Sequence, residues 1–338
     1  MVIISSYSTA IAMCVVTMLC WGSWANTQKM ASKEWKFQLF YWDYAIGLFL
    51  FSLVLAFSMG SMGADGRPFM TDLMQLSSAA VISAVIGGIV FNISNILLVA
   101  AIDLAGMSVA FPVGVGLALV IGVVQNYIKN PAGNPVLIFS GVAAIVLAMV
   151  MAALAYKKLN GESGSSTKGL ILSIAAGVLM GSFYGFVIDA IAPGFFASTE
   201  GSMVLEAGKA TPYTAMVLFS VGLLASNFLW NTIVMYKPFS GDAVTYGDYF
   251  KLGTPRLHII GCLGGAIWCI GMSFNLVASG AVSPAISYGL GQGATLVAAI
   301  WGVFIWKEFK GAPKGVTPIL AMMFLLYVTG LTLLILSK

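Results

Sequence analysis

Hydrophobic residues occur in ten long stretches that are separated by short polar segments. The stretches cover residues 8–28, 39–59, 77–101, 107–128, 135–156, 169–191, 212–235, 257–278, 283–306 and 316–337. Each is long enough for a helix that crosses a bilayer, which takes about 20 apolar residues. Residues 141–154 are apolar at nearly every position, whereas strands of a membrane barrel alternate apolar and polar residues. The pattern predicts an all-α membrane protein with ten transmembrane helices, numbered here as spans 1–10.

The composition agrees with a membrane protein. Of the 338 residues, 59% are hydrophobic and only 8% are charged, whereas a soluble domain carries about 25% charged residues. The net charge of +4 is small and no block of basic residues occurs, so nucleic acid is not expected as a partner. The expected surroundings of the spans are membrane lipid.

Positive charges are distributed unevenly between the connections. Twelve of the 16 Lys and Arg residues fall between spans 1 and 2, 5 and 6, 7 and 8, and 9 and 10. Basic connections stay on the cytoplasmic side of a membrane. We therefore expect a multi-pass protein of the cell (inner) membrane with both termini outside and the middle connection, 158–168, in the cytoplasm.

The two halves of the chain resemble each other. Three matches follow one another in order: residues 22–24 with 181–183, 87–91 with 264–268, and 111–116 with 286–291. Because five helices is an odd number, the second copy must be inverted relative to the first. The sequence thus predicts two inverted five-helix repeats, 1–157 and 169–338, joined by the linker 158–168. Inverted repeats are typical of secondary transporters, which bind their solute near the midplane of the bilayer.

Polar and aromatic side chains inside the spans are the candidate solute-binding residues. They are Trp21, Trp24, Asn26, Asn92, Asn95, Tyr184, Trp268, Asn275, Tyr288 and Gln292. Polar groups in apolar helices are costly and tend to face the interior of the bundle. Lys and Arg, which an anionic solute would require, fall in or near the connections. The set predicts a small neutral polar solute; the alternative is that the amides only hold helices together.

Two acidic residues are candidates for coupling transport to an ion, for which H⁺ is expected. Asp43 lies about one turn into span 2, and Asp189 lies near the outer end of span 6. The alternative for Asp43 is structural, because the helix dipole favours an acidic residue in the first turn. The sole histidine, His258, has no Cys or acidic residue at ligand spacing beside it. We therefore expect no catalytic residues, no metal, no cofactor and no enzyme activity.

Several short motifs resemble those of one superfamily. They are residues 20–24 (CWGSW), 42–44 (WDY), 87–89 (GGI) with Asn92 and Asn95, 106–108 (GMS), 212–215 (PYTA), 264–268 (GGAIW) and 307–309 (KEF). From about Ser8 to Lys314 the chain resembles the drug/metabolite transporter superfamily, and within it the glucose/ribose porters, the L-rhamnose–proton symporters and the ureide permeases. Unlike plant ureide permeases, it has a short middle loop without a Gly-Lys-Ser/Thr ending.

The resemblance implies uptake of a small neutral solute through a cavity lined by spans 1, 3, 4, 6, 8 and 9. Our first expectation is a secondary transporter that imports a sugar (a pentose, hexose or deoxyhexose) with protons, by alternating access. The alternative is uptake of an allantoin-like ureide, a nucleobase or a nucleoside by the same mechanism. A multidrug exporter is a third alternative. Whether the chain acts as a monomer or a homodimer stays open.

Overall fold

The computed structural model describes residues 1–160, 167–196, 205–239 and 241–338, and these are almost entirely helical. Within these ranges, ten helices are long and apolar enough to cross a membrane. Eight of the spans are single helices: Tyr7–Ala31, Phe37–Phe57, Ser78–Ala105, Pro135–Asn160, Thr167–Ala190, Pro212–Tyr236, Pro255–Val282 and Val316–Ile335 (spans 1–3, 5–8 and 10). The predicted all-α multi-pass membrane fold is confirmed.

Spans 4 and 9 are interrupted helices. Span 4 consists of Met107–Ala110, Phe111–Val115 and Gly116–Lys129, and span 9 consists of Pro284–Gly291, Ala294–Ile300 and Trp301–Ile305. One segment in each, Phe111–Val115 and Trp301–Ile305, forms a π-helix. Such wide turns occur mostly inside α-helices and frequently at functional sites. Spans 4 and 9 are therefore the two least regular spans in the described part of the chain.

The connections hold three short elements that the hydrophobic pattern does not reveal. They are the helix Phe69–Met74, the single turn Pro193–Phe195 and the helix Tyr246–Leu252, called the loop helix below. Thr245 and Asp248 cap the loop helix reciprocally, which satisfies two backbone N–H groups at its start. Because the spans alternate in direction, both termini lie at one end of the bundle (the N-terminal end) and the loop helix lies at the other (the opposite end).

Contacts between the spans fall into matched sets. Span 3 packs along span 6 as span 1 packs along span 8, and span 2 crosses span 8 as span 7 crosses span 3. Spans 4 and 6 correspond in the same way to spans 9 and 1, whereas spans 5 and 10 pack on each other. Exchanging the first five spans for the last five converts this set of contacts into itself. Two inverted repeats, 1–157 and 169–338, require such a symmetric set of contacts between spans. The assignment of the repeats stays a prediction.

Glycines allow the closest of these crossings. A Cβ atom at Gly265 would lie 2.0 Å from the carbonyl oxygen of Tyr44, where span 8 crosses span 2. A Cβ atom at Gly88 would lie 2.0 Å from the carbonyl oxygen of Phe219, where span 3 crosses span 7. Two further glycines make the same kind of approach from the other side of each crossing, Gly47 and Gly222. Small residues at helix crossings are how membrane helices pack without a hydrophobic driving force.

Equivalent joints lead into spans 4 and 9. Gly106 (φ 75°, ψ 163°) precedes span 4 and Ser283 (φ 85°, ψ 153°) precedes span 9. These joints are 177 residues apart, the same spacing that relates residues 87–88 to 264–265. The match of residues 111–116 with 286–291 implies a spacing of 175 for spans 4 and 9. The backbone instead matches Gly114 to Gly291, because a joint fixes the register and a run of glycines does not.

Candidate functional site

Aromatic rings meet in the middle of the bundle around Trp268 of span 8. Its ring stacks on Trp21 of span 1, with centroids 5.7 Å apart and planes inclined by 15°, and on Phe219 of span 7, at 5.6 Å and 13°. Phe91 of span 3 lies 4.5 Å from it. Each of these residues lies away from the ends of its helix. Stacked rings of this kind offer flat apolar faces, and we call this group the aromatic cluster.

Two polar atoms beside the aromatic cluster lack partners. The Nδ2 of Asn275 donates to the carbonyl oxygen of Ser287 at 2.7 Å. Among the described residues, however, the indole N–H of Trp21 and the Oδ1 of Asn275 are buried without a hydrogen bond. A Cβ atom at Gly291 would lie 2.8 Å from Cζ3 of Trp21 and 2.9 Å from Asn275 Nδ2, so Asn275 lies near the six-membered-ring edge of the indole; the N–H edge faces Gly271, where a Cβ atom would lie 2.9 Å from Nε1. A buried polar atom left unpaired costs about 1–3 kcal/mol. Among the described residues, Trp21 and Asn275 thus leave one donor and one acceptor without a partner.

Tyr288 and Tyr184 close the N-terminal side of this region. The hydroxyl of Tyr288 donates to the carbonyl oxygens of Ala118 (3.3 Å) and Met180 (3.2 Å), on spans 4 and 6. The Tyr288 ring fills the space beside Gly122, where a Cβ atom would lie 2.2 Å from it. Tyr184 packs 5.0 Å from that ring. The ring of Tyr288 thus links span 9 to spans 4 and 6 near the N-terminal end of the bundle.

The predicted amides of span 3 bind neighbouring helices. The Nδ2 of Asn92 donates to the Leu223 carbonyl oxygen (3.2 Å) and to the Ser226 hydroxyl (2.9 Å) of span 7. The Nδ2 of Asn95 donates to the Tyr41 hydroxyl of span 2 at 3.2 Å. These contacts link span 3 to spans 7 and 2, while Asn92 Oδ1, like Asn275 Oδ1, is buried without a partner among the described residues. A role of the two amides in solute binding stays a prediction.

The other predicted solute-binding residues divide between the centre and the opposite end. Trp24 packs against Tyr44, with centroids 4.9 Å apart, and Gln292 is buried in span 9. Asn26 accepts a hydrogen bond from the indole N–H of Trp306 at 2.7 Å, in an exposed position at the opposite end. The structure thus brings Trp21, Trp268 and Asn275 together and leaves Asn26 apart from them.

A cavity of about 270 Å³ opens at the opposite end between spans 2, 3 and 7. Gln38, Ile96 and Val234 line it, and Lys36 and Asp242, which pair at 3.3 Å, stand at its exposed side. Ile96, which lines the cavity, follows Asn95 in the sequence. The cavity therefore reaches from the opposite end toward the amides of span 3.

Asp43 is buried in a cluster that the sequence pattern did not reveal. Only 1% of its surface is exposed. Its Oδ2 accepts from the Trp35 indole N–H at 2.9 Å, and its Oδ1 contacts His258 Nδ1 at 2.8 Å and the hydroxyl of Tyr249. These partners come from the connection before span 2, from the start of span 8 and from the loop helix. A Cβ atom at position 261 would clash with the Asp43 side chain, so a glycine makes room for it.

Asp189 has different surroundings. Its Oδ2 lies 2.5 Å from the Nζ of Lys129, at the N-terminal end, and both side chains are largely exposed (45% and 41%). An exposed pair contributes about 0.2–1 kcal/mol. Asp72 at the same end is fully buried, accepts from Arg67 Nε at 2.8 Å and accepts from the Thr211 backbone N–H at 2.7 Å.

We expect Asp189→Asn to lower the free energy of unfolding by less than about 1 kcal/mol, because water screens the pair. Asp72→Asn should cost about 3 kcal/mol or more, because it leaves Arg67 without its buried partner. Thermal unfolding in detergent compares the two. Equal losses of stability would show that Asp189 is held more tightly than its exposure indicates.

The chain is similar to known permeases along its whole length. A family model described as "Ureide permease" matches residues 40–166. Ureide permeases 4, 1 and 2 of Arabidopsis thaliana are 22%, 21% and 22% identical, and each alignment covers 100% of this chain and 99% of the relative. A solved structure described only as "Crystal structure of protein" matches with a TM-score of 0.60 at 15% identity, over 97% of this chain and 96% of that one, and it supports the fold alone.

The sequence resemblance to ureide permeases thus has support along the whole chain, whereas none of these matches points to a sugar porter. The ten apolar helices and the similarity to permeases together indicate a multi-pass membrane transporter of small solutes.

Proposed function

We propose that this protein is a permease for a small neutral ureide, a molecule built on the planar –NH–CO–NH– group. The observation that carries the proposal is the unpaired Trp21 N–H and Asn275 Oδ1 beside the stacked rings of Trp21 and Trp268. A ureide offers a carbonyl acceptor and N–H donors in one plane, which matches one donor and one acceptor next to a flat aromatic face. The names of the similar permeases support the same solute class.

The sugar that the sequence analysis put first is less well supported. A sugar can also stack on an indole ring, but its hydroxyl groups project around the whole ring and need many partners. The comparisons favour the ureide alternative. Uptake of a sugar with protons is therefore retained only as the competing outcome of the experiment below.

We further propose that transport proceeds by alternating access. Two inverted halves give two states of similar construction, each open to one side. The state described here has Tyr288 across the N-terminal end. Positive charge concentrated at the opposite end supports placing that end in the cytoplasm, so that this state is closed to the outside.

The test is solute counterflow in proteoliposomes. Vesicles loaded with unlabelled allantoin are diluted into radiolabelled allantoin, and uptake is competed with uracil, ribose, rhamnose and glucose. We expect accumulation of label that allantoin or uracil suppresses and the sugars leave unchanged. Suppression by a sugar, without counterflow of allantoin, would contradict the proposal and restore the sugar alternative.

A further inference from the structure

Asp43 and His258 differ sharply in their access to water. The side chain of Asp43 is 2% exposed and that of His258 is 32% exposed, although Nδ1 and Oδ1 are 2.8 Å apart. An ionised carboxylate only accepts hydrogen bonds, so His258 Nδ1 carries the proton in this contact and Nε2 is left to take a second one. The imidazole therefore lies between solution and a carboxylate that solution does not reach.

The cluster connects the two halves of the chain. Asp43 belongs to span 2, whereas His258 begins span 8 and Tyr249 lies on the loop helix. Span 8 and the loop helix are thus tied to span 2 through one carboxylate. Hydrogen bonds to an ionised acceptor are about twice as strong as neutral ones. Neutralising the carboxylate would weaken all of these ties at once.

We propose that Asp43 and His258 form the proton-binding site that couples H⁺ movement to solute transport, an inference that rests on the proposed function. A proton from the solution at the opposite end binds His258 Nε2, and the pair changes from a net charge of −1 to zero. The imidazolium and the carboxylate then form a charge-assisted contact, which ties span 8 to span 2 more firmly than the neutral imidazole does, and loss of the proton loosens this tie so that the two halves can move. The proton leaves the same nitrogen when the site faces the other solution.

Among the ionisable groups near Asp43 and His258, this pair is the one that can exchange a proton with solution. Tyr249 faces Asp43 from the loop helix; its burial, reinforced by the hydrogen bond to Asp43, raises the pKa of Tyr249, so it stays a protonated donor. Cys262 of span 8 lies one turn beyond His258, and Lys36, which precedes span 2, pairs with Asp242. Nearby, Arg256 and Glu34 pair with each other at 3.9 Å. An imidazole is the side chain whose charge ordinarily changes between pH 5 and 8.

The experiment compares two modes of transport in proteoliposomes that contain a trapped pH-sensitive dye. Counterflow needs no net proton movement, whereas accumulation driven by an imposed pH gradient does. For Asp43→Asn we expect counterflow within about twofold of wild type, gradient-driven accumulation lowered at least about tenfold, and solute-dependent proton entry abolished. The matched control is Glu34→Gln, an exposed carboxylate at the same end that does not line the cavity, which should behave as wild type.

Tyr249→Phe provides a milder second variant if Asp43→Asn does not assemble. It removes one donor from the ionised carboxylate, so the pH of half-maximal accumulation should rise by about one unit. Wild-type accumulation by Asp43→Asn, or an unchanged pH profile for Tyr249→Phe, would overturn the inference. Absence of allantoin counterflow in wild type would instead contradict the proposed function, whereas wild-type counterflow that no pH gradient drives would contradict the proton site alone.

Discussion

Gly265→Ala is expected to prevent normal assembly of the helical bundle. The added methyl group would lie 2.0 Å from the Tyr44 carbonyl oxygen and 2.6 Å from the Leu48 backbone nitrogen. Neither atom is the flexible end of a side chain, so spans 2 and 8 would have to separate by more than about 1 Å. Overpacking of a close-packed region costs about 1–3 kcal/mol and more where backbone must move. Size-exclusion chromatography and thermal unfolding in detergent would measure the effect.

A matched pair of substitutions controls this result. Gly88→Ala adds a methyl group at the corresponding crossing of spans 3 and 7, 2.0 Å from the Phe219 carbonyl oxygen, and should be equally damaging. At Gly116 the same methyl group would meet only the Sδ of Met149, at 3.7 Å, so Gly116→Ala should be tolerated. A melting temperature for Gly265→Ala within about 2 °C of that of Gly116→Ala would contradict the close crossing.

Trp21→Phe should raise the solute concentration for half-maximal counterflow at least about tenfold. The substitution keeps an aromatic ring beside Trp268 but removes the unpaired indole N–H. Loss of a hydrogen bond to a buried site leaves the solute carbonyl unpaired, and a tenfold change corresponds to about 1.4 kcal/mol. The concentration dependence of allantoin counterflow measures this directly.

Trp306→Phe is the control for this prediction. It also deletes an indole N–H, which donates to Asn26 at the exposed opposite end, and should leave the half-saturating concentration unchanged. Equal behaviour of the two variants would remove the Trp21 N–H from the solute site. A rise in the maximal rate alone, with unchanged half-saturation, would assign Trp21 to movement and not to binding.

The membrane spans could be predicted from sequence because each is defined by a local property. The predicted stretch 212–235 corresponds to the helix Pro212–Tyr236, and 135–156 corresponds to Pro135–Asn160. The hydrophobic pattern did not predict the loop helix, Tyr246–Leu252, because this helix is short and lies in a polar connection. Its stability comes from capping and from contact with the spans, and hydropathy reports neither.

The site was predictable only in part. The polar faces of spans 1 and 8 single out Trp21, Trp268 and Asn275 as candidates, and the structure places these side chains near one another; their binding of solute stays a prediction. Asp43 and His258 are 215 residues apart, and their spans are adjacent only through tertiary packing, so spacing along the chain could not connect them. The Leu223 backbone carbonyl group that accepts from Asn92 is equally invisible in a sequence, since every residue carries one.

The backbone at Ser283, before span 9, is strained, whereas the backbone at Gly106, before span 4, is not. Both adopt a positive φ, but a side chain in that region costs about 1–2 kcal/mol, whereas glycine adopts it readily. Ser283 also caps span 9 by accepting from the Ile286 backbone N–H, so relaxing the serine would release the start of that helix. The starts of the two interrupted spans therefore differ in backbone strain although they have nearly the same conformation.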